Sequence, residues 1–342
     1  MKDNNGTVVN SSKISRRQFL KIIAASSAFG MLCKFGIENL PANQVVSETR
    51  ILMGTVINLT IISEDPKTAS AAIDACLNHM SGLENILSRF QPDSQLSRLN
   101  RYGEFTEPHP ALLNLVAKSL ELSQLTGGAF DITVKPLLDL YQAMPGFLPS
   151  TSQIEQVLKL VDYHKMDLVG QRISFRQPGM SITLDGIAKG YIVDEGVLVL
   201  KEYGFDNMLV EAGGDLMGLG EKEPHKPWKI GLQAPRGQIG DLLASFDIRD
   251  RAIATSGDYM QAFTPDFSNH HIIDPRTGHS SPDLASVSVQ APTSSMADAL
   301  ATAVMVMGRP GLTLIEKMEG CEAFAITKNL EELKTTGFLV NL

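Results

Sequence analysis

The sequence predicts an α+β fold built mainly on antiparallel sheet, and two patterns support this prediction. First, apolar residues recur at helical spacing over residues 68–87, 110–125 and 151–160. Second, short segments rich in β-branched residues, bounded by turn residues, predict strands, and those in the second half follow one another without intervening helices. These strands are expected at residues 55–62, 173–175, 181–184, 208–210, 228–232, 252–255 and 286–289. Such an order favours antiparallel pairing over a doubly wound sheet.

The start of the chain predicts an export signal. Residues 15–21 read Ser-Arg-Arg-Gln-Phe-Leu-Lys, the form of a twin-arginine signal, and the apolar run at 22–32 is shorter than the ~20 residues of a membrane span. We therefore expect residues 1–42 to direct export by the twin-arginine route. The protein would be periplasmic or attached to the outer face of the inner membrane, and cleavage of the signal and its retention as an anchor both stay open.

Charge and cysteine content exclude several classes of function. The chain has 30 basic and 38 acidic residues, a formal net charge of −8, which becomes −12 without residues 1–42 because these hold six basic and two acidic residues. An acidic protein of this kind argues against binding to nucleic acid or, by charge, to anionic lipid. Beyond residue 42 only Cys76 and Cys321 remain, which allow one disulfide, exclude a disulfide framework and argue against a thiolate metal site.

Residues 270–302 contain the residue types for proton transfer and for binding a hard cation. His270 and His271 precede a predicted strand at 272–273 and a Pro/Gly turn, and strand alternation would send only one of them, which we take to be His271, into a site. Asp298 and Thr302 lie four residues apart on a predicted helix, on one face, and offer oxygen ligands. Three alternatives compete: a capping box formed by Ser295 and Asp298, a bond from Thr302 to its own helix, and a histidine held by Asp274 or a backbone carbonyl.

Three glycine-rich turns add further candidate residues. The turn at 184–191 places Lys189 at a helix start, where a cation and free backbone N–H groups suit a phosphate. The turn at 126–133 presents Phe130 and Asp131 together, and the turn at 210–215 follows a strand. Each turn also has an explanation without a ligand. The first would be a tight turn with a solvated lysine, the second a helix C-cap before a buried phenylalanine, and the third a simple turn.

Together these segments resemble the ApbE family of flavin transferases, which move FMN from FAD onto a threonine or serine of a target protein. The matching segments occur in the family's order across residues 50–340. They are residues 53–55, 87–90, 97–100, 128–131, 185–190, 212–215, 256–257, 271–278 and 297–302.

The resemblance implies a fold, a site and a reaction. Residues 43–342 would form one ApbE-like domain of two lobes with FAD in the cleft between them. Mg²⁺ would be held by Asp298, Thr302 and the backbone carbonyl of Gly186, and His271 would be the catalytic base. The residues at the family's FAD-contacting positions are Met53, Phe90, Ala129, Phe130, Asp131, Thr183, Lys189 and Ile272.

Two departures from the family's pattern concern FAD binding. Thr183 stands where the family often has aspartate, and Asp185 where it has glycine, so the acidic group has moved by two positions. Phe90 stands where many relatives have tyrosine, which keeps an aromatic face for stacking and removes a hydroxyl.

The function that the resemblance implies is a Mg²⁺-dependent FAD:protein FMN transferase that releases AMP. FAD is its substrate, and its protein partners would be acceptors with a flavinylated threonine or serine, namely subunits of membrane redox complexes. Two alternatives stay open. Water could attack the same phosphorus, which would make the protein a Mg²⁺-dependent FAD diphosphatase, or the protein could be a non-catalytic periplasmic FAD-binding protein.

Overall fold

An eight-stranded antiparallel sheet forms the centre of the protein. The structure is a computed structural model that describes residues 44–144, 146–238 and 240–339, so the predicted signal at 1–42 lies outside the described residues. The strands lie in the order β1-β2-β6-β7-β10-β11-β12-β13. They span Gln44–Leu52 (β1), Thr55–Ser63 (β2), Met208–Ala212 (β6), Asp215–Leu219 (β7), Arg251–Gly257 (β10), Leu284–Ala291 (β11), Glu322–Thr327 (β12) and Glu332–Lys334 (β13).

Two smaller antiparallel sheets accompany the central one. A three-stranded sheet has the order β3-β5-β4, and a hairpin pairs β8 with β9. Their strands are Glu104–Thr106 (β3), Met166–Val169 (β4), Arg172–Phe175 (β5), Trp228–Gln233 (β8) and Leu242–Ile248 (β9).

Eight α-helices complete the described part of the chain. They are Pro66–Leu87 (α1), Gln95–Tyr102 (α2), Pro110–Leu125 (α3), Lys135–Gln142 (α4), Thr151–Leu158 (α5), Ala188–Glu202 (α6), Ser294–Met307 (α7) and Arg309–Ile315 (α8). Helix α6 packs against α1 and α7, and α7 also packs on β10 and β11. Their buried apolar faces share one core, which therefore fixes the start of α6 against α7.

The sheet register gathers several turns at one edge. Because β2 pairs with β6, and Ile57 lies opposite Ala212, the β1–β2 turn lies beside the β6–β7 turn. Strand β10 runs antiparallel to β7, with Ile253 opposite Leu216, so its end at Gly257 reaches the same edge. This edge also faces the starts of α6 and α7, where the sequence places Lys189 and Asp298.

The α+β class with antiparallel pairing is confirmed, and two local predictions are wrong. Residues 181–184 form no strand, because the backbone N–H and C=O of Ile182 bond to the side chain of Asn100, at 2.7 and 2.8 Å, instead of to a neighbouring strand. Residues 272–273 are also no strand. Ile273 makes only an isolated bridge to Ser280, since the turn that begins at Asp274 ends the pairing.

Cys76 and Cys321 are both buried and free, so the disulfide that the sequence allowed is not formed. None of the described helices combines the length and apolar character needed to cross a bilayer.

Candidate active site

A lysine and two buried aspartates form the charged centre of the site. Lys189, in the first turn of α6, makes an ion pair with Asp215 at the start of β7, and its Nζ lies 3.4 Å from Oδ2 of Asp298 on α7. The aspartate side chains are only 2% and 5% exposed, whereas that of Lys189 is 33% exposed. The lysine therefore forms the solvent-facing side of the cluster, and the alternative of a merely solvated Lys189 is wrong.

This cluster has an excess of negative charge when both carboxylates are ionised. Burial and then the charge of Asp215 raise the pKa of Asp298, and burial likewise raises the pKa of Asp215. Burial disfavours the charged form of Lys189, but the two carboxylates outweigh this and raise its pKa. A second cation at this place would relieve the repulsion between the carboxylates.

The position of Asp298 excludes the capping-box alternative. Helix α7 begins one residue after its N-cap Thr293, whose hydroxyl oxygen accepts the backbone N–H of Met296 at 3.3 Å. Asp298 lies beyond the first turn, and its Oδ2 instead accepts the backbone N–H of Gly190 at 3.3 Å. Its carboxylate therefore connects α7 with the start of α6.

Gly186, Thr302 and Phe130 meet directly beside this cluster. A Cβ atom at Gly186 would lie 3.0 Å from Oγ1 of Thr302 and 3.4 Å from Cε2 of Phe130. The Thr302 hydroxyl lies 3.3 Å from that of Ser256, and one helical turn separates it from Asp298. The predicted metal ligands are thus neighbours, and the Thr302 hydroxyl faces groups outside its own helix.

The chemistry of these donors fits Mg²⁺ bound together with a phosphate. Asp298 and Thr302 offer hard oxygen atoms next to a negatively charged cluster, as Mg²⁺ requires. Among residues 44–144, 146–238 and 240–339, no group of three or more histidine, cysteine or acidic side chains is placed to hold a metal by itself. Mg²⁺ commonly completes its octahedron with water and substrate phosphate. The protein therefore needs to supply only a few ligands, here one carboxylate, one hydroxyl and one backbone carbonyl.

Phe90 offers an open aromatic face near this centre. The residue is 71% exposed, and the guanidinium carbon of Arg89 lies 4.2 Å from its ring centre. Arg89 also donates from Nε to Oδ2 of Asp185 at 2.6 Å. The acidic group that departs from the family's pattern therefore has a partner of its own, and this ion pair connects Phe90 with the residue before Gly186.

Met53 lies in the turn between β1 and β2, at the edge described above. Its φ of +54° is uncommon for a residue other than glycine. The next strand contacts the β6–β7 turn closely, because a Cβ at Gly213 would lie 2.3 Å from Oγ1 of Thr55. Met53 is thus carried to the edge where Asp215 begins β7.

The turn after α3 is a helix C-cap followed by a buried phenylalanine. Gly127 and Gly128 take positive φ values and end the helix, which confirms the C-cap interpretation. Ala129, Phe130 and Asp131 are then buried.

Asp131 and Thr183 hold loops together in this structure. Asp131 accepts the backbone N–H groups of Thr133 and Tyr163 at 2.8 and 3.0 Å, and burial raises its pKa. Thr183 donates its N–H to Ile132 and accepts that of Asp185. Their contacts with FAD, like that of buried Ile272, stay predictions.

His271 has the properties of a proton acceptor. Its Nδ1 is buried without a hydrogen-bond partner among the described residues. Burial first, and then the charge of His270, lower its pKa to about 4, so the imidazole is neutral near pH 7. The carboxylate of Asp274 pairs with Arg276 instead, at 2.8 Å, so the alternative of a histidine held by Asp274 is wrong. The alternative of a histidine held by a backbone carbonyl stays open, because a backbone hydrogen bond with Gln261 acts against the lowering of its pKa.

His270 is directed away from this position. It is fully buried, its Nε2 lies 3.0 Å from the carbonyl oxygen of Ser281, and its Nδ1 accepts the N–H of Ile272. The two histidines therefore have different surroundings, as the sequence predicted, although no regular strand produces the difference.

Asp215 and Arg89 contact this site but received no role from the sequence. The signal for Asp215 was a carboxylate directly after a double glycine, at the start of a strand. A single sequence gives no local indication that this turn contacts Lys189, because the contact arises from the pairing of β6 with β7 and the packing of α6.

Comparisons with known proteins identify the family of this chain. The model of the ApbE family matches residues 53–325. The FAD:protein FMN transferase of Escherichia coli K12 is 30% identical over 314 residues, covering 86% of this chain and 89% of that protein. The solved flavin transferase ApbE from Vibrio cholerae has a TM-score of 0.76 at 30% identity, covering 86% of this chain and 98% of that one. The ApbE protein from Thermotoga maritima has a TM-score of 0.78 at 29% identity, covering 86% and 97%. The chain therefore belongs to the ApbE family.

Proposed function

We propose that this protein is a FAD:protein FMN transferase, which moves the FMN part of FAD onto a threonine or serine hydroxyl of an acceptor protein and releases AMP. The observation that carries the proposal is the cluster of Lys189, Asp215 and Asp298 beside Gly186 and Thr302, in a chain whose curated ApbE relatives bear that name. An ammonium group next to hard oxygen ligands suits the anionic pyrophosphate of FAD.

In this proposal FAD lies in the cleft around the charged centre. The open face of Phe90 stacks on a ring of the substrate, and Lys189 donates hydrogen bonds to its phosphates. The further contacts are those predicted from the sequence, at Met53, Ala129, Phe130, Asp131, Thr183 and Ile272.

Mg²⁺ is proposed to bind at Asp298, Thr302 and the carbonyl of Gly186. When bound, it supplies charge neutralisation at the pyrophosphate and stabilises the AMP leaving group. Asp215 remains paired with Lys189 and keeps the ammonium of that residue turned toward the same place.

The transfer itself needs a base, because a threonine hydroxyl is a poor nucleophile at neutral pH. The neutral imidazole of His271 takes the hydroxyl proton while the oxygen attacks the FMN phosphorus. A phosphorus–oxygen bond forms to the acceptor, and the bond to the AMP phosphate breaks. The products are a phosphoester-linked FMN-protein and AMP.

The acceptors and the location are part of the proposal. We expect the acceptors to be flavin-carrying subunits of membrane redox complexes, on the exported side of the inner membrane, because residues 15–21 have the form of a twin-arginine signal. Replacing Arg16 and Arg17 by lysine should keep the protein in the cytoplasm, whereas unchanged export would contradict this location.

Metal-dependent labelling of an acceptor tests the proposed reaction. Such a subunit is incubated with FAD and Mg²⁺ and inspected for covalent flavin fluorescence on a denaturing gel. We expect labelling that EDTA abolishes and that Asp298→Asn reduces at least a hundredfold, since asparagine keeps the shape but not the charge. As a control, Asp247→Asn removes an exposed carboxylate on β9 and should label normally. Normal labelling by Asp298→Asn would contradict the metal site.

A further inference from the structure

We infer that Asp258 is a positioning residue for His271, acting with Arg236 and Lys328 to clamp the loop that carries the histidine. This loop, residues 258–271, connects the end of β10 with the turn at Asp274. The inference rests on the proposed function, because it concerns the placement of the proposed base.

Asp258 joins three separate parts of the fold at the root of the loop. Its carboxylate is 0% exposed and accepts two hydrogen bonds from Arg236, Nη1 to Oδ1 at 2.8 Å and Nη2 to Oδ2 at 2.7 Å. The Nζ of Lys328 lies 3.8 Å from Oδ2. Arg236 comes from the β8–β9 connection and Lys328 from the turn after β12. A buried carboxylate held in this bidentate way fixes the geometry of its partners.

The same two cations also contact Phe267, at the tip of the loop. The guanidinium carbon of Arg236 lies 4.4 Å from the ring centre of Phe267, and Nζ of Lys328 donates to the carbonyl oxygen of Phe267 at 2.8 Å. Phe267 has a φ of +59°, which a bulky side chain adopts only when its surroundings impose it. Root and tip of the loop are therefore fixed by one charged group of residues.

Hydrogen bonds between the two legs of the loop carry this constraint to His271. Phe263 donates its N–H to Asn269 at 2.7 Å, and His271 donates its N–H to Gln261 at 3.0 Å. Nδ1 of His271 has no partner among the described residues, and the backbone hydrogen bond that acts on the imidazole is with Gln261 of the same loop, so the position of the ring depends on that of the loop. Displacing the root at Asp258 should therefore displace the imidazole.

A double-mutant cycle separates positioning from general stability. Asp258→Asn keeps the shape but leaves Arg236 and Lys328 without their common carboxylate. We expect it to lower the rate of flavin transfer at least tenfold and to leave the FAD dissociation constant within twofold. In a His271→Ala background it should cause no further loss, because the group it positions is already absent. The control Asp247→Asn removes an exposed carboxylate on β9, outside the loop and its clamp, and should behave like the wild type.

A measurement on the imidazole makes the test independent of activity. The ring proton signal of His271, assigned by its loss in His271→Ala, should shift in Asp258→Asn and stay unchanged in Asp247→Asn. Arg236→Lys keeps the charge but loses the paired hydrogen bonds, and provides a milder second variant with the same expectations.

Two results would overturn the inference. One is an equal fold-loss on adding Asp258→Asn to the wild type and to His271→Ala; the other is an unshifted His271 signal. If the wild type transferred no flavin, the proposed function would fail, while the signal would still report whether Asp258 positions His271.

Discussion

Replacing His271 by glutamine should make the protein less sensitive to acid. Burial lowers the pKa of the imidazole to about 4, compared with 6.5 for an exposed histidine, so the folded state resists protonation. The unfolded chain has no such restriction. Glutamine has no proton to gain in this pH range, so the variant isolates the contribution of this one group.

The size of the effect follows from the two pKa values. Between pH 6.5 and 4 the unfolded chain binds a proton at His271 that the folded protein does not, so stability is fully present above the unfolded pKa and is lost as the pH falls toward 4. At pH 5 the solution is ~1.5 units below the unfolded pKa, and each unit corresponds to ~1.4 kcal/mol. The wild type should therefore lose about 2 kcal/mol through this group between pH 8 and pH 5.

Urea unfolding at pH 8 and pH 5 measures this loss. The free energy of unfolding should fall by about 2 kcal/mol more in the wild type than in His271→Gln, and contributions from other groups cancel in the comparison. His279→Gln, an exposed histidine in the following turn, is the control and should fall as the wild type does. Equal losses in the wild type and His271→Gln would refute the reasoning, because the imidazole would then not be held neutral by burial.

Three further substitutions test other contacts of the site. Gly186→Ala places a Cβ 3.0 Å from the Thr302 hydroxyl and should raise the Mg²⁺ concentration needed for half-maximal transfer at least fivefold, as a Mg²⁺ titration would detect. Gly190→Ala places a Cβ 2.3 Å from the carbonyl oxygen of Ser294, so urea unfolding should show a loss of roughly 1–3 kcal/mol, whereas Gly82→Ala, in open space on α1, should not destabilise. Lys189→Met should weaken FAD binding at least tenfold by flavin fluorescence, while Lys201→Met, at the exposed end of the same helix, should bind FAD normally.

The long elements of the fold were predictable from the sequence because their patterns are local. Helix α3 spans Pro110–Leu125 as predicted, with proline at its start and two glycines after its end, and α1 begins only two residues earlier than expected. The strand predicted at 181–184 failed because a distant side chain, Asn100, satisfies the extended backbone. The local pattern of apolar and polar residues gives no indication of such a distant partner.

The site shows the same division between local and distant information. The ordered motifs identified Lys189, Asp298 and Thr302, and the structure brings these residues together. The ion pair of Lys189 with Asp215 depends on sheet order and helix packing, which one sequence does not specify. The role of Asp258 depends on cations from two distant turns, so only the folded structure reveals it.

The ratio of released AMP to acceptor-bound flavin tests the central claim most directly. FAD, Mg²⁺ and a flavin-carrying subunit are incubated with the protein, and both products are quantified over time, with the subunit lacking its acceptor threonine as control. The proposed function predicts one AMP for each flavin bound covalently to the subunit, and almost none of either product with the control subunit. AMP accompanied by free FMN, with no flavin on the subunit, would contradict it and identify the protein as an FAD diphosphatase.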